Sequence, residues 1–233
     1  MGLILNIETA TNVCSVALAD NGLLVSYKES LTDKSHSSLL SVFIEEILNE
    51  NKLSVKKLDA VAVSKGPGSY TGLRIGVSTA KGLCYGANIP LISLNTLKVM
   101  SSGIINNQIL SRLNLKTSNN ILLCPMIDAR RLEVFTAIFN QLNQTIEETQ
   151  AKIINRSSYD KYLVKNKLIF FGTGAYKCTA IINSRNALFI ENFNTSARYM
   201  TGLSEENYRN RKFENVAYFE PYYLKDFIAT VPK

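Results

Sequence analysis

The sequence has no tryptophan, one histidine (His36) and four cysteines, and only 19% of its residues are charged. Each scarcity removes a class of protein. A single histidine rules out H-E-x-x-H, H-x-x-x-H and every other two-histidine metal site within the chain. A Ser-His-Asp relay would have only His36 to use. Cys14, Cys84, Cys124 and Cys178 form no C-x-x-C pair, so neither a thiol redox motif nor a thiolate zinc site is written here. Reduced, buried thiols are expected, with no metal and no cofactor. No apolar run approaches the roughly 18 residues that cross a bilayer. The opening Met1-Gly2-Leu3-Ile4-Leu5-Asn6 lacks a basic n-region and a long h-region, and Asn6 departs from the myristoylation pattern. A cytoplasmic protein without membrane contact is the expectation.

With 46% apolar residues over 233 positions, the chain can bury a full core in one large or two small domains. The net charge of +7 is unevenly placed: residues 1–99 carry +1, residues 100–150 are neutral, and residues 151–233 carry +6. A basic bias suits an acidic partner such as RNA, although it is equally an ordinary solubility device.

Alternation marks strands at 3–7, 13–19 and 23–27, the last two joined by Asp20-Asn21-Gly22, whose Asn and Gly tolerate positive φ in a tight turn. Ser35 sits at an N-cap position, and Leu39, Leu40, Phe43, Ile44, Ile47 and Leu48 recur at helical spacing to about Asn49. A strand over 58–63, the glycine loop Gly66 to Gly72, a helix over 73–85, a strand over 90–94 and a helix near 96–113 complete a first half. The second half repeats that order. It has strands over 121–127 and 132–139 about a turn at Asp128-Ala129-Arg130-Arg131, a polar stretch over 140–150 and a short helix near 158–164. A strand over 168–171, then Gly172-Thr173-Gly174 and a helix over 175–183 follow. Two α/β lobes, 1–103 and 104–233, with mixed sheets, flanking helices and a tail that packs back on the first lobe, are the expected organisation.

The loop Gly66-Pro67-Gly68-Ser69-Tyr70-Thr71-Gly72 carries the most information. It is not a Walker A loop, since Leu73-Arg74 follows where Lys-Ser/Thr would stand, and it does not complete the dinucleotide G-x-G-x-x-G. The helix behind it contains two interior glycines, each costing about 1 kcal/mol against alanine. Two stripes of small residues result, Gly72–Gly76–Ala80 and Ser78–Gly82–Gly86, either of which allows close helix approach. In the preceding helix, Leu39 and Phe43 widen the apolar band beyond a single face.

Asn6-Ile7-Glu8-Thr9-Ala10-Thr11, His36-Ser37, the block from Gly66 to Leu83, Ile127-Asp128-Ala129-Arg130 and Pro221-Tyr222-Tyr223-Leu224-Lys225 closely resemble the TsaB (YeaZ) family of tRNA threonylcarbamoyladenosine biosynthesis proteins. Tyr70 stands where that family commonly has Phe, and Lys225 where it has Arg. The resemblance implies the two-lobed actin/hexokinase/sugar-kinase (ASKHA) fold. It implies a non-catalytic subunit that pairs with the catalytic paralogue TsaD, assisted by the ATPase TsaE, for threonylcarbamoyl transfer to the adenosine 3′ of the anticodon in tRNA. A homodimer through the same face is implied for the subunit alone. Leu39, Phe43, Gly72, Leu73, Gly76, Val77, Ala80 and Lys81 are the expected partner-binding residues, and Glu8, Thr9, Gly172 and Gly174 the expected vestiges of nucleotide loops. Two competing readings remain at this stage: a glycoprotease-like peptidase or nucleotide hydrolase, for which Asp33, His36, Ser37, Ser38, Lys65, Arg74 and Asp128 are candidates in type, and a stand-alone tRNA-binding module.

Overall fold

A computed structural model describes residues 1–32, 36–106, 109–112, 115 and 120–225. The first sheet has the order β3-β2-β1-β4-β5, built from β1 (Leu3–Glu8), β2 (Cys14–Asp20), β3 (Leu23–Ser30), β4 (Ala60–Gly66) and β5 (Leu91–Asn95). β1, β2 and β3 pair antiparallel, while β4 and β5 continue the sheet in parallel. The expected tight turn is present, with φ of 54° at Asn21 and 79° at Gly22. The second sheet repeats this pattern strand for strand. β6 (Ile121–Asp128), β7 (Glu133–Asn140) and β8 (Thr145–Ile153) form the antiparallel arm, and β9 (Lys167–Phe171) and β10 (Ala187–Ile190) the parallel one. This is the duplicated ASKHA-like architecture with mixed sheets and flanking helices.

One face of the first sheet packs against α1 (His36–Glu50) and α2 (Tyr70–Ala87), burying Leu40, Ile44, Ile47, Leu48, Val77, Ala80 and Cys84 with the strand side chains. Its other face meets α3 (Thr96–Asn106), a 3-10 turn over Ala197–Met200 and α6 (Thr201–Arg209). α3 also serves the second sheet, where Leu97, Met100 and Ile104 join Leu123, Phe139 and Phe171. The far side of that sheet is closed by α5 (Asp160–Leu163) and the segment through Cys178 and Ile182.

Three expectations need revision, and α6 has no counterpart among them. The helix near 96–113 divides into α3 and α4 (Ile109–Arg112), with residues 107–108 outside the described set. The polar stretch over 140–150 contains the start of β8, an edge strand whose side chains are mostly half-buried or exposed. The helix expected over 175–183 is a 3-10 turn at Tyr176–Cys178 followed by further turns. α6 has no apolar stripe and buries the polar Thr201, Ser204 and Glu205 instead. The Ser35 cap lies outside the described residues.

Late sequence returns to the first lobe. Glu214 donates its amide to the Leu91 carbonyl, Lys81 Nζ reaches the Ala217 and Phe219 carbonyls, and Tyr222 donates its amide to the Lys65 carbonyl at 2.7 Å. Tyr223 then packs on Tyr70 with the ring planes tilted by 36° and centroids 4.9 Å apart, and Lys225 pairs with Glu133 of the second lobe. This strap therefore touches both lobes.

Candidate functional site

The glycine loop closes on the β1–β2 turn, so that turn decides what the loop can hold. Ser69 donates its amide to the Ala10 carbonyl at 2.7 Å and caps α2 by accepting from the Gly72 amide at 3.3 Å. A Cβ at Gly68 would strike the Ala10 carbonyl oxygen, one at Gly72 the Thr9 carbonyl oxygen, and one at Gly76 the Thr9 hydroxyl. Thr9 Oγ1 in turn donates to the Gly72 carbonyl at 2.8 Å. Where a phosphate would approach these glycines, carbonyl oxygens already stand, and they repel an anion. The glycines are there for close packing of helix on turn.

Glu8 ends β1 with its side chain wholly buried. Its carboxylate accepts from the Ala10 amide at 2.7 Å and from the Ser64 hydroxyl. Burial pushes the carboxyl up to about 7, against the opposing pull of Ser64 and of the Ala10 and Thr9 amides. Beyond it, Thr11 bonds Thr195 at 2.7 Å and the Ala197 amide donates to Ser15 Oγ at 3.1 Å, tying the turn to the segment that leads into α6.

On α2 the stripe Gly72–Gly76–Ala80 turns inward, together with Leu73 and Val77, and all five are buried within their own lobe. The second stripe faces out, and nothing lies within 4 Å of a Cβ built on Gly82 or Gly86. Leu39 and Phe43 are half-buried at the margin of the α1–α2 core, and Lys81 is engaged by the strap. Between the helices lies a groove of about 430 Å³ lined by residues that include Ser41, Ile44, Glu45, Leu48, Thr79 and Leu83. Its exposed lining is mostly apolar, although Asn49 and Ser54 border it as well.

In the second lobe Gly172 has φ of 98°, and a Cβ there would meet Met100 and the Met126 carbonyl. Gly174 donates its amide to that same carbonyl at 3.0 Å. The turn borders a cavity of about 390 Å³ lined by Thr173, Tyr176, Thr179, Phe189, Asn192 and Asn194. Thr9 packs against α2 and Glu8 is held by Ser64 and the Ala10 amide, while Gly172 borders this cavity and Gly174 bonds the Met126 carbonyl. Among the described residues no cluster of three His, Cys, Asp or Glu side chains could hold a metal ion.

Three of the catalytic candidates, His36, Asp128 and Arg74, are engaged by groups outside the candidate set. His36 is buried with Nε2 3.2 Å from the Val13 carbonyl, while Ser37 and Ser38 are exposed on α1, and Asp33 lies outside the described residues. Asp128 pairs with Lys177 at 2.6 Å, and Arg74 lies on the Tyr70 ring. Sequence reasoning passed over Lys177, whose Nζ also donates to the Arg131 and Glu133 carbonyls at 2.8 and 2.6 Å, pinning the β6–β7 turn. Two positive-φ arginines, Arg130 at 71° and Arg131 at 50°, make this turn unusual, and nothing in their residue type announces it.

A family profile described as "TsaD: tRNA N6-adenosine threonylcarbamoyltransferase" matches residues 29–232. The tRNA threonylcarbamoyladenosine biosynthesis protein TsaB of Escherichia coli is 28% identical, the alignment covering 97% of this chain and 96% of that protein. Its namesake in Haemophilus influenzae is 27% identical over 97% of this chain and 94% of its own length. A crystal structure of an uncharacterized protein with similarity to peptidase YEAZ from Pseudomonas aeruginosa superposes with a TM-score of 0.81, covering 97% of this chain and all of that one. At 19% identity, that last likeness is one of fold.

Proposed function

Since the chain belongs to the tRNA N6-adenosine threonylcarbamoyltransferase family and, within it, to its TsaB (YeaZ) branch, we propose that it is a non-catalytic subunit of a cytoplasmic tRNA threonylcarbamoyladenosine synthesis machinery. In this reading it docks a TsaD-like catalytic subunit, assisted by a TsaE-like ATPase, for threonylcarbamoyl transfer to the adenosine 3′ of the anticodon. Alone, the same face pairs two copies of the chain. The observation that carries the reading is the α1–α2 surface, an apolar groove flanked by the open glycines Gly82 and Gly86. Each bare glycine exposes helix backbone to a neighbouring helix, which can approach toward the short end of the roughly 8–10 Å interaxial range. The filled glycine loop supports the non-catalytic half of the reading, because the turn that would cradle a phosphate is occupied by Thr9 and Ala10. The docking face consists of Ser78, Gly82, Leu83 and Gly86 with Leu39 and Phe43 at its rim, while Gly72, Leu73, Gly76, Val77 and Ala80 support it from beneath.

Gly82→Leu tests this. The side chain has room in the free protein, so the variant folds, while a partner helix is held off. Co-purification with the TsaD-like subunit should fall at least tenfold, with the free chain's thermal midpoint held or raised. Undiminished recovery of the pair would place the docking face elsewhere.

A further inference from the structure

The strap and the β6–β7 turn bring together basic residues that are far apart in sequence. Arg74 Nη1 donates to Tyr70 Oη at 3.1 Å, Tyr70 packs on Tyr223, and Lys225, two positions on, pairs with Glu133. Glu133 and Arg131 offer their carbonyls to Lys177, and the Glu133 amide donates to the Arg130 carbonyl at 3.1 Å. A continuous string of contacts thus runs from α2 of the first lobe to the hairpin of the second. Arg74, Arg130, Arg131 and Lys225 are exposed along it, as are Tyr222 and Tyr223. Lys65 lies beneath Tyr222 and is half-buried. The acidic groups nearby are Asp128, Glu133 and Glu220, and the first two are taken up by Lys177 and Lys225. Among the described residues Lys65, Arg130 and Arg131 have no carboxylate partner.

The hairpin holds its arginines at a conformational cost. Two consecutive non-glycine residues at positive φ are disfavoured, and asparagine or glycine would sit there more easily. Lys177 and the Asp128 carboxylate, which accepts from the Arg130 amide at 2.7 Å, keep the turn in place. Guanidinium groups held on a pinned turn match phosphate geometry, and exposed tyrosine rings among cations give unpaired bases a face to stack on.

We propose that this belt, from Arg74 through Tyr70, Tyr223 and Lys225 to the Arg130-Arg131 turn, is a contact surface for the phosphate backbone of RNA, the tRNA of the reaction. It rests on the reading under Proposed function for the identity of the RNA and on the belt's own geometry for its location. The belt differs from the α1–α2 groove in chemistry: one is cationic and aromatic, the other apolar.

The test uses the full chain assembled with its TsaD-like and TsaE-like subunits and an unmodified tRNA transcript, titrated by filter binding from low to physiological salt. Arg130→Asn with Arg131→Asn removes two charges with a residue that accepts positive φ, and Arg74→Gln removes a third at the other end. Each phosphate contact contributes about 0.7–0.9 to the slope of log affinity against log salt. The double variant should therefore flatten that slope by about 1.4–1.8 and weaken binding roughly tenfold, with Arg74→Gln flattening it by about half as much. Lys161→Gln with Lys165→Gln, removing the same charge beside α5, should leave both quantities unchanged. Unaltered binding in the belt variants, or an equal loss in the α5 control, overturns the proposal. So does loss of the protein subunits in place of the transcript, which would make the belt a protein contact. Failure of the docking reading shows separately, as an assembly that never forms with the unsubstituted chain. In that event the same titration on the chain alone decides the belt by the same change in slope.

Discussion

At the scale of single residues, Glu8 stands out as a carboxyl group buried without a cationic partner among the described residues. Desolvation pushes it from 4.5 up to about 7, so the native state keeps a proton that the unfolded chain releases between those values. Stability conferred by that retained proton is fully present below the lower value and is lost as pH rises through the upper one. The whole change is about 3 kcal/mol, at about 1.36 kcal/mol for each pH unit between the two values. Glu8→Gln removes the ionisation while keeping an acceptor for the Ala10 amide. Urea midpoints of variant and parent should coincide at about pH 4, with the variant ahead by about pH 8. Parallel curves across that range would show that the carboxyl titrates as an ordinary one. The sequence displays Glu8 at the end of an apolar strand but not its burial, which depends on Ser64 and Met200 arriving from distant parts of the chain.

At the scale of elements, α2 places two kinds of glycine in one helix. Gly82 is open, so Gly82→Ala should stabilise the free chain by about 1 kcal/mol through helix propensity alone. Gly76→Ala drives a methyl group into Thr9 and should cost about 1–3 kcal/mol, as overpacking does. Denaturant titration of the two variants should give opposite signs; a shared sign would mean that the Thr9 turn yields. Both stripes are visible in the sequence, but their spacing is the same, and only the β1–β2 turn determines which one faces inward. The other elements follow similar logic. Ala175, Cys178 and Ile182 bury one face at spacings that suit an α-helix, yet a 3-10 turn and its successors bury the same three. β8 pairs at one edge of its sheet, so its side chains need no strict alternation of apolar and polar. α6 is hidden from pattern reading because Glu205, accepting from the Gly2 amide and from Arg209, does inside the fold what an apolar residue usually does.

At the scale of the molecule, the repeated strand order is readable from the alternation of hairpin, helix, strand and glycine turn, and both sheets carry it. The contacts that hold the strap are not, because backbone carbonyls of Lys65, Ala217 and Phe219 make them, and hydropathy patterns record none of these. Ending the chain after Glu220 removes the Tyr222–Lys65 hydrogen bond, the Tyr223–Tyr70 contact and the Lys225–Glu133 pair together. Hydrogen exchange should then quicken at Lys65–Gly68 and in the β6–β7 hairpin with the sheet cores still protected. Exchange as slow as in the intact chain would reduce the strap to a decoration. Its path also bears on biosynthesis. The Ala197–Met200 turn, α6 and the strap cover the first sheet, yet they are translated after the second sheet is complete. A nascent chain on the ribosome thus carries one face of its first sheet only partly covered, by α3, until residues 197–225 emerge, a span in which chaperones have an apolar surface to hold.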